Sequence, residues 1–166
     1  MPFLIANRRK LPSAVTVERG ARWGMLLQGV AYAVLLQSKF WFWHPSAWRI
    51  AASIVFFILA VTLSWTGVRA LGRQWRLDAG LNAEHDLVRI GPYRIVRHPI
   101  YSSMLCMFLA VGFLMTPWPQ FALAGLLFLI GTEIRVRMED KLLASRFGDQ
   151  FAQYRSTVPA YVPFAR

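Results

Sequence analysis

The sequence predicts an all-α, polytopic membrane helical bundle of about four transmembrane helices, and three observations predict it. The chain of 166 residues is 56% hydrophobic, yet it carries a formal net charge of +11. Its apolar residues gather into long runs and its charges fill the gaps between them, as a bilayer demands of a chain that crosses it. Seventeen of its nineteen Lys and Arg residues fall in three blocks that alternate crossings place on one side.

Four apolar runs stand out, at roughly 23–43, 48–68, 100–115 and 118–134. At about 1.5 Å per residue, the first two match a hydrocarbon core of about 30 Å, the third falls short and the fourth is marginal. The third and fourth read as a helical hairpin with Thr116, Pro117, Trp118 and Pro119 at its tip. Two prolines break the helix there, and the tryptophan suits an interfacial position. Arg8, Arg9 and Lys10 precede the first run, but no short apolar stretch with a cleavage site follows them before Arg19 and Arg22. The first run is therefore read as a retained helix.

The basic residues set the orientation. Five precede the first run, six lie between Arg69 and Arg97, and six follow from Arg135 onward. With four crossings these three segments share a compartment, which the positive-inside rule makes the cytosol. The connection over 69–98, at about 30 residues, is far longer than a usual helix-to-helix loop, and such loops tend to be functional. Beyond Glu133 the fourth helix continues. Leu142, Leu143, Phe147, Phe151 and Tyr154 recur at helical spacing beside Arg137, Lys141, Arg146 and Asp149, so this stretch lies amphipathically against the membrane or the loop. Pro159 and Pro163 mark an irregular end. The whole chain reads as one domain, with 1–68 supplying two membrane helices and 69–166 carrying the chemistry.

Composition also excludes. The basic residues flank apolar runs and form no face on a polar domain, so anionic lipid headgroups, not nucleic acid, are the expected counter-charge. A single cysteine, Cys106, rules out an intrachain disulfide and a multi-cysteine metal cluster, and its apolar neighbours make it a small buried hydrophobe.

The densest polar cluster runs from His85 to Tyr101, where the third run begins. Gly91-Pro92 punctuates a turn, and Pro99 suits a first helical turn, which puts His98 near the N-cap. Amides at such a helix start can hold a carboxylate. Arg94 and Arg97, taken singly, read as interfacial anchors. Gly91-Pro92-Tyr93-Arg94, two residues, then Arg97-His98-Pro99-Ile100-Tyr101 resembles the signature of the isoprenylcysteine carboxyl methyltransferase family and its bacterial relatives. His85 to Val88 resembles the stretch before it. A second block agrees: Arg135, Glu139-Asp140, Leu143, Phe147-Gly148, Phe151 and Tyr154 resembles the family's arginine, acidic pair and aromatic tail. Asp140 stands where the family often has a second glutamate, and Phe151 replaces the first tyrosine of the tail.

The resemblance covers roughly 69–164 and implies methyl transfer from S-adenosyl-L-methionine to a lipophilic or lipidated acceptor. Its cofactor site would be cytosolic, built from the 69–98 loop and the C-terminal helix. Carried over residue by residue, it implies a cofactor site of His85, Asp86, Leu87, Val88, Tyr93, His98, Pro99, Ile100, Tyr101 and Glu139, with Arg135 facing the substrate. Residues 135 and 139 lie one helical turn apart on one face, while Glu133 and Arg137 form a second such pair on roughly the opposite face.

The reaction is an in-line displacement that asks for alignment and exclusion of water, so no metal site is expected. A carboxylate acceptor is already ionised and needs a cation to hold it, a role that suits Arg135. A phospholipid amine or a small thiol would instead need a base such as Glu139 or His98. Outside the enzymes, a haem or quinone protein with His85 and His98 as ligands is disfavoured, because those residues do not face each other across helices. A scaffold whose basic loops bind membrane lipid is the other non-enzymatic reading.

Overall fold

In a computed structural model, the described residues are 16–17, 20–37, 44–72, 80–81 and 86–163. Four helices carry the fold: α1 (Ala21–Leu36), α2 (Ala47–Leu71), α3 (Pro99–Met115) and α4 (Trp118–Thr157). A 3-10 turn over Gly91–Arg94 precedes α3. One departure from an all-helical chain is a two-residue antiparallel bridge, β1 (Thr16–Val17) with β2 (Gly80–Leu81).

Local chemistry explains the helix ends. Pro99 opens α3, where its missing N–H is not needed. Pro117 caps α4, and Pro119 sits in its first turn. Gly72, at φ 53°, closes α2 in a backbone region that other residues avoid. The fourth helix continues past Glu133 as the sequence predicts, but Gly148 (φ 49°) kinks it. That kink turns the last turns so that Phe151 and Tyr154 are buried.

Helix α1 is shorter than its apolar run. Its 16 residues span about 24 Å, and positions 38–43 of the expected run lie outside the described residues. Side chains from the α3–α4 turn close its end. Thr116 Oγ1 donates to the Leu35 carbonyl at 3.0 Å, and the Gln120 amide donates to that of Val34. The C-terminus of α3 is closed similarly by Arg49 of α2. Its guanidinium donates to the carbonyls of Phe113 (2.7 Å), Gly112 (3.1 Å) and Thr116 (2.5 Å) and lies 4.9 Å from the Trp118 ring centroid. A buried helix end must find such partners, and a cation suits the negative end of the helix dipole.

Among the described residues one helix, α2, is long and apolar enough to cross a bilayer, and only 17% of its most apolar stretch is buried within the protein. Ile54, Val55, Phe57, Ile58 and Val61 point outward from it, as do Leu26 and Val30 of α1 and Leu126 and Leu129 of α4. A soluble protein does not leave so continuous an apolar surface to water. This is a membrane protein.

The most extensive helix packing pairs α1 with α4 and α2 with α3. Helices α3 and α4, joined through Thr116 and Pro117, are bridged by a layer of rings. Phe108 stacks on Phe128 with centroids 4.6 Å apart and meets Phe121 at 5.9 Å. The start of α1, the end of α2, the start of α3 and the middle of α4 meet at one end of the bundle. Gly20 lies against Met138, Gly67 against Pro99 and Ile100, and His98 against Glu139.

At the α1–α4 crossing Gly24 and Gly131 touch. A Cβ on Gly131 would sit 2.7 Å from the Gly24 carbonyl oxygen, and one on Gly24 would sit 2.6 Å from that of Gly131. Gly29, on the same helix, has nothing within 4 Å of an added Cβ. Gly131→Ala is expected to destabilise the protein by about 1–3 kcal/mol, while Gly29→Ala is neutral or stabilising by up to about 1 kcal/mol. Thermal unfolding in detergent, read on both variants, checks the contrast.

Candidate functional site

The site grows from two adjacent pairs, Arg97-His98 at the start of α3 and Glu139-Asp140 on α4. Arg97 Nη2 donates to Asp140 Oδ2 at 2.9 Å. The His98 ring lies between the two carboxylates, with Nε2 2.9 Å from Asp140 Oδ1 and Nδ1 3.2 Å from Glu139 Oε2. The Tyr101 hydroxyl donates to the other oxygen of Glu139. Arg155 Nε approaches Asp140 at 3.8 Å from a largely exposed position. Arg97, His98 and Asp140 are buried, whereas the Glu139 side chain is 28% exposed and keeps an open edge.

The C-terminal segment straps this cluster. The amides of Arg97 and His98 donate to the carbonyls of Pro159 and Ala160, both at 2.8 Å, and the Ser102 hydroxyl donates to that of Tyr161 at 2.6 Å. Arg97 Nη1 reaches the carbonyls of Val158 (2.8 Å) and Arg155 (3.1 Å). The start of α3 is therefore not the amide cradle expected for a carboxylate. Pro99 has no N–H, and the amides of Tyr101 and Ser102 donate to the His98 carbonyl at 3.0 and 3.1 Å. That helix start offers side chains.

Burial alone would lower the pKa of His98. Hydrogen bonds to Asp140 and Glu139, together with their charges, outweigh it and push the imidazole up to about 9. Burial would likewise raise Asp140, but its bond to His98 and the charges of His98, Arg97 and Arg155 hold it below the ordinary carboxylate value. His98 is thus an imidazolium between two carboxylates near neutral pH.

Arg135 sits one turn before Glu139. It is buried, donates from Nη1 to Gln28 Oε1 of α1 at 3.0 Å, and holds its guanidinium 4.8 Å from the Tyr101 ring centroid. Tyr93 is buried in the 3-10 turn, where its carbonyl accepts the Tyr154 hydroxyl at 2.5 Å. Its own hydroxyl is raised by burial first and then by the charges of Glu139 and Tyr154.

The structure thus brings together Tyr93, His98, Tyr101, Arg135 and Glu139, with Pro99 buried and Ile100 half-buried behind them. Leu87 and Val88 are half-buried and Asp86 is exposed, on the irregular stretch leading to the turn. His85 lies outside the described residues. Glu133 and Arg137 form the exposed i, i+4 pair foreseen, at 2.8 Å.

Two residues read differently once folded. Arg97 is no interfacial anchor, because its guanidinium is buried on Asp140 and the strap carbonyls, and Arg94 alone of the two is exposed. Asp140, despite its shorter side chain, reaches both Arg97 and His98. Phe151, in place of a tyrosine, is fully buried with its ring centroid 6.0 Å from the Arg97 guanidinium. Gln28 was not legible as a site residue. The available signal was a glutamine inside an apolar run, four residues after a glycine.

The family model described as phospholipid methyltransferase matches residues 48–150, more than half of the chain. The chain belongs to the phospholipid methyltransferase family. Relatives within reach of this family member include the cobalt-zinc-cadmium resistance protein CzcN of Cupriavidus metallidurans, 28% identical over 93% of this chain and 68% of the relative. Protein-S-isoprenylcysteine O-methyltransferase B of Arabidopsis thaliana is 32% identical over 70% of this chain and 60% of its own. Methanethiol S-methyltransferase of Pseudomonas deceptionensis is 29% identical over 82% and 58%. The family assignment and the plant relative agree with the isoprenylcysteine carboxyl methyltransferase resemblance of the two motifs.

The charge cluster sets a pH window for this phospholipid methyltransferase family member. His98 has a folded pKa raised from 6.5 to about 9, so its contribution is complete below pH 6.5 and is lost as pH rises through 9. Asp140 is lowered from 3.8, so its contribution is present above that value and is lost as pH falls below it. Unfolding temperature in detergent should be level between about pH 4 and 6.5 and decline toward pH 9, and His98→Gln should flatten that decline. Asp140→Ala, which strands Arg97 and His98, should cost about 3–5 kcal/mol, measured by chemical denaturation at pH 6.

Proposed function

We propose that this chain methylates a carboxylate on a lipophilic acceptor at the membrane interface, using S-adenosyl-L-methionine and giving a methyl ester. The observation that carries the reading is a buried cation, Arg135, where the apolar part of α4 ends, one turn from a carboxylate with an open edge, Glu139.

The side chains present fit the cofactor. Glu139 beside the rings of Tyr93 and Tyr101 is an anionic, aromatic environment of the kind that accepts sulfonium and ammonium groups. Tyr93, His98, Pro99, Ile100, Tyr101 and Glu139 would hold it, with His85 to Val88 completing the site. When bound, the cofactor supplies an electrophilic methyl group and a neutral thioether leaving group. His98 orients Glu139 as an imidazolium and so is no base. Glu139 is itself engaged by His98 and Tyr101, so neither group is poised to deprotonate an amine or a thiol. An acceptor already ionised suits such a site, and Arg135 supplies the charge that holds it in register.

The same reading has four helices crossing the bilayer and the site facing the cytosol, supported by the one-sided distribution of Lys and Arg along the sequence. A lipid-attached acceptor then arrives from the membrane while the cofactor arrives from water.

Arg135→Ala should abolish transfer and leave cofactor affinity within about twofold, whereas Glu139→Ala and Tyr93→Ala should weaken cofactor binding by about tenfold or more. Calorimetry with S-adenosyl-L-methionine separates them, and unchanged binding in all three variants sinks the assignment. Labelled cofactor incubated with native membranes then identifies the acceptor. A base-labile methyl group indicates the ester, a base-stable one an amine or thiol acceptor, and a chain that binds no cofactor is a lipid-binding scaffold.

A further inference from the structure

Helix α1 lies outside the segment that matches the family, yet it reaches the site through one buried side chain. Gln28 is 3% exposed. Its Oε1 accepts from Arg135 Nη1 at 3.0 Å, and its Nε2 donates to Thr132 Oγ1 at 2.8 Å. The Thr132 hydroxyl spends its proton on the Phe128 carbonyl at 2.9 Å, so it can only accept from Gln28. This chain of bonds fixes which way the amide points, and the oxygen is left for the arginine. The Gly24–Gly131 contact, one turn away, brings α1 close enough for the amide to span the gap.

We infer that Gln28 is a positioning residue that orients the Arg135 guanidinium toward the acceptor without neutralising it. The inference rests on the reading of Arg135 as the acceptor-holding cation. Its chemical core is the choice of an amide. A carboxylate at this position would make the same hydrogen bond, but it would cancel the charge of Arg135 and compete with an anionic acceptor. An aliphatic side chain would remove the Gln28 bond that helps to fix the tilt of the guanidinium over the Tyr101 ring. Only a neutral acceptor gives both orientation and undiminished charge. It follows that α1, which carries no motif, selects for acceptors bearing negative charge.

The test uses the full chain in detergent with N-acetyl-S-farnesylcysteine as the carboxylate probe. Gln28→Glu should raise the KM for the probe by about tenfold or more with kcat near that of the parent, and Gln28→Leu should lower kcat by about tenfold. Cofactor affinity by calorimetry should be unchanged in both. A second readout needs no acceptor: in protein labelled with 15N-arginine, the Arg135 Nη resonances, assigned through Arg135→Lys, report rotation of the guanidinium. They should be distinct in the parent and in Gln28→Glu, and averaged in Gln28→Leu. Gln28→Asn, one methylene too short to span the gap, replaces Gln28→Leu if that variant does not fold.

A parent protein that leaves the probe unmethylated overturns the carboxylate reading, while the arginine resonances still decide the role of Gln28. Averaged Arg135 resonances in the parent, or resonances that neither Gln28→Leu nor Gln28→Asn changes, overturn the inference. So does a Gln28→Glu variant whose KM for the probe, in a protein that methylates it, matches that of the parent.

Discussion

A positive imidazole held between two carboxylates is the interaction on which the rest of the site depends. His98 begins one helix, Glu139 and Asp140 lie in the middle of another, and the bonds between them join segments about 40 residues apart. The buried Asp140 carboxylate is not tolerable in an apolar protein interior without a cation, and the imidazole is not cationic there without its carboxylate partners. Arg97 completes the balance on the Asp140 side. These bonds tie the start of α3 to the middle of α4. There Tyr101 lies over Glu139 and beside Arg135.

The second requirement comes from the solvent. Where lipid replaces water, polar groups at helix ends must be satisfied from within the protein. At the end remote from the site, Arg49, Thr116 and Gln120 do this for the last carbonyls of α3 and α1. At the site end, the strap over 158–161 does it for the start of α3. Both ends are closed by side chains or backbone far away in sequence, so the helices are short where their ends are capped in this way.

Much of this was legible in the sequence. Apolar runs and prolines located α2, α3 and the start of α4, because those signals are local and large. The motif resemblance picked out His98, Tyr101, Arg135 and Glu139, which the fold does assemble. What escaped was set by partners distant in the chain. Nothing near Arg97 reveals that a strap from 158–161 will bury it, and nothing near Asp140 shows that one fewer methylene still reaches both cations. The amides of Arg97 and His98 looked available because their acceptors, the carbonyls of Pro159 and Ala160, lie about 60 residues away. Gln28 was hidden for the same reason, since its partners lie 104 and 107 residues downstream.

That separation has a consequence for synthesis. Helix α1 is made before α4, with the Gln28 amide among apolar neighbours, and the hydrogen-bonding partners of that amide are made more than one hundred residues later. Until α4 is made, the Gln28 amide has neither of these two partners. The close glycine contact cannot form earlier either, because both its members must be present. Helix α1 is therefore locked in place only once α4 has been made, and the α1–α4 seam is a late contact in the order of synthesis.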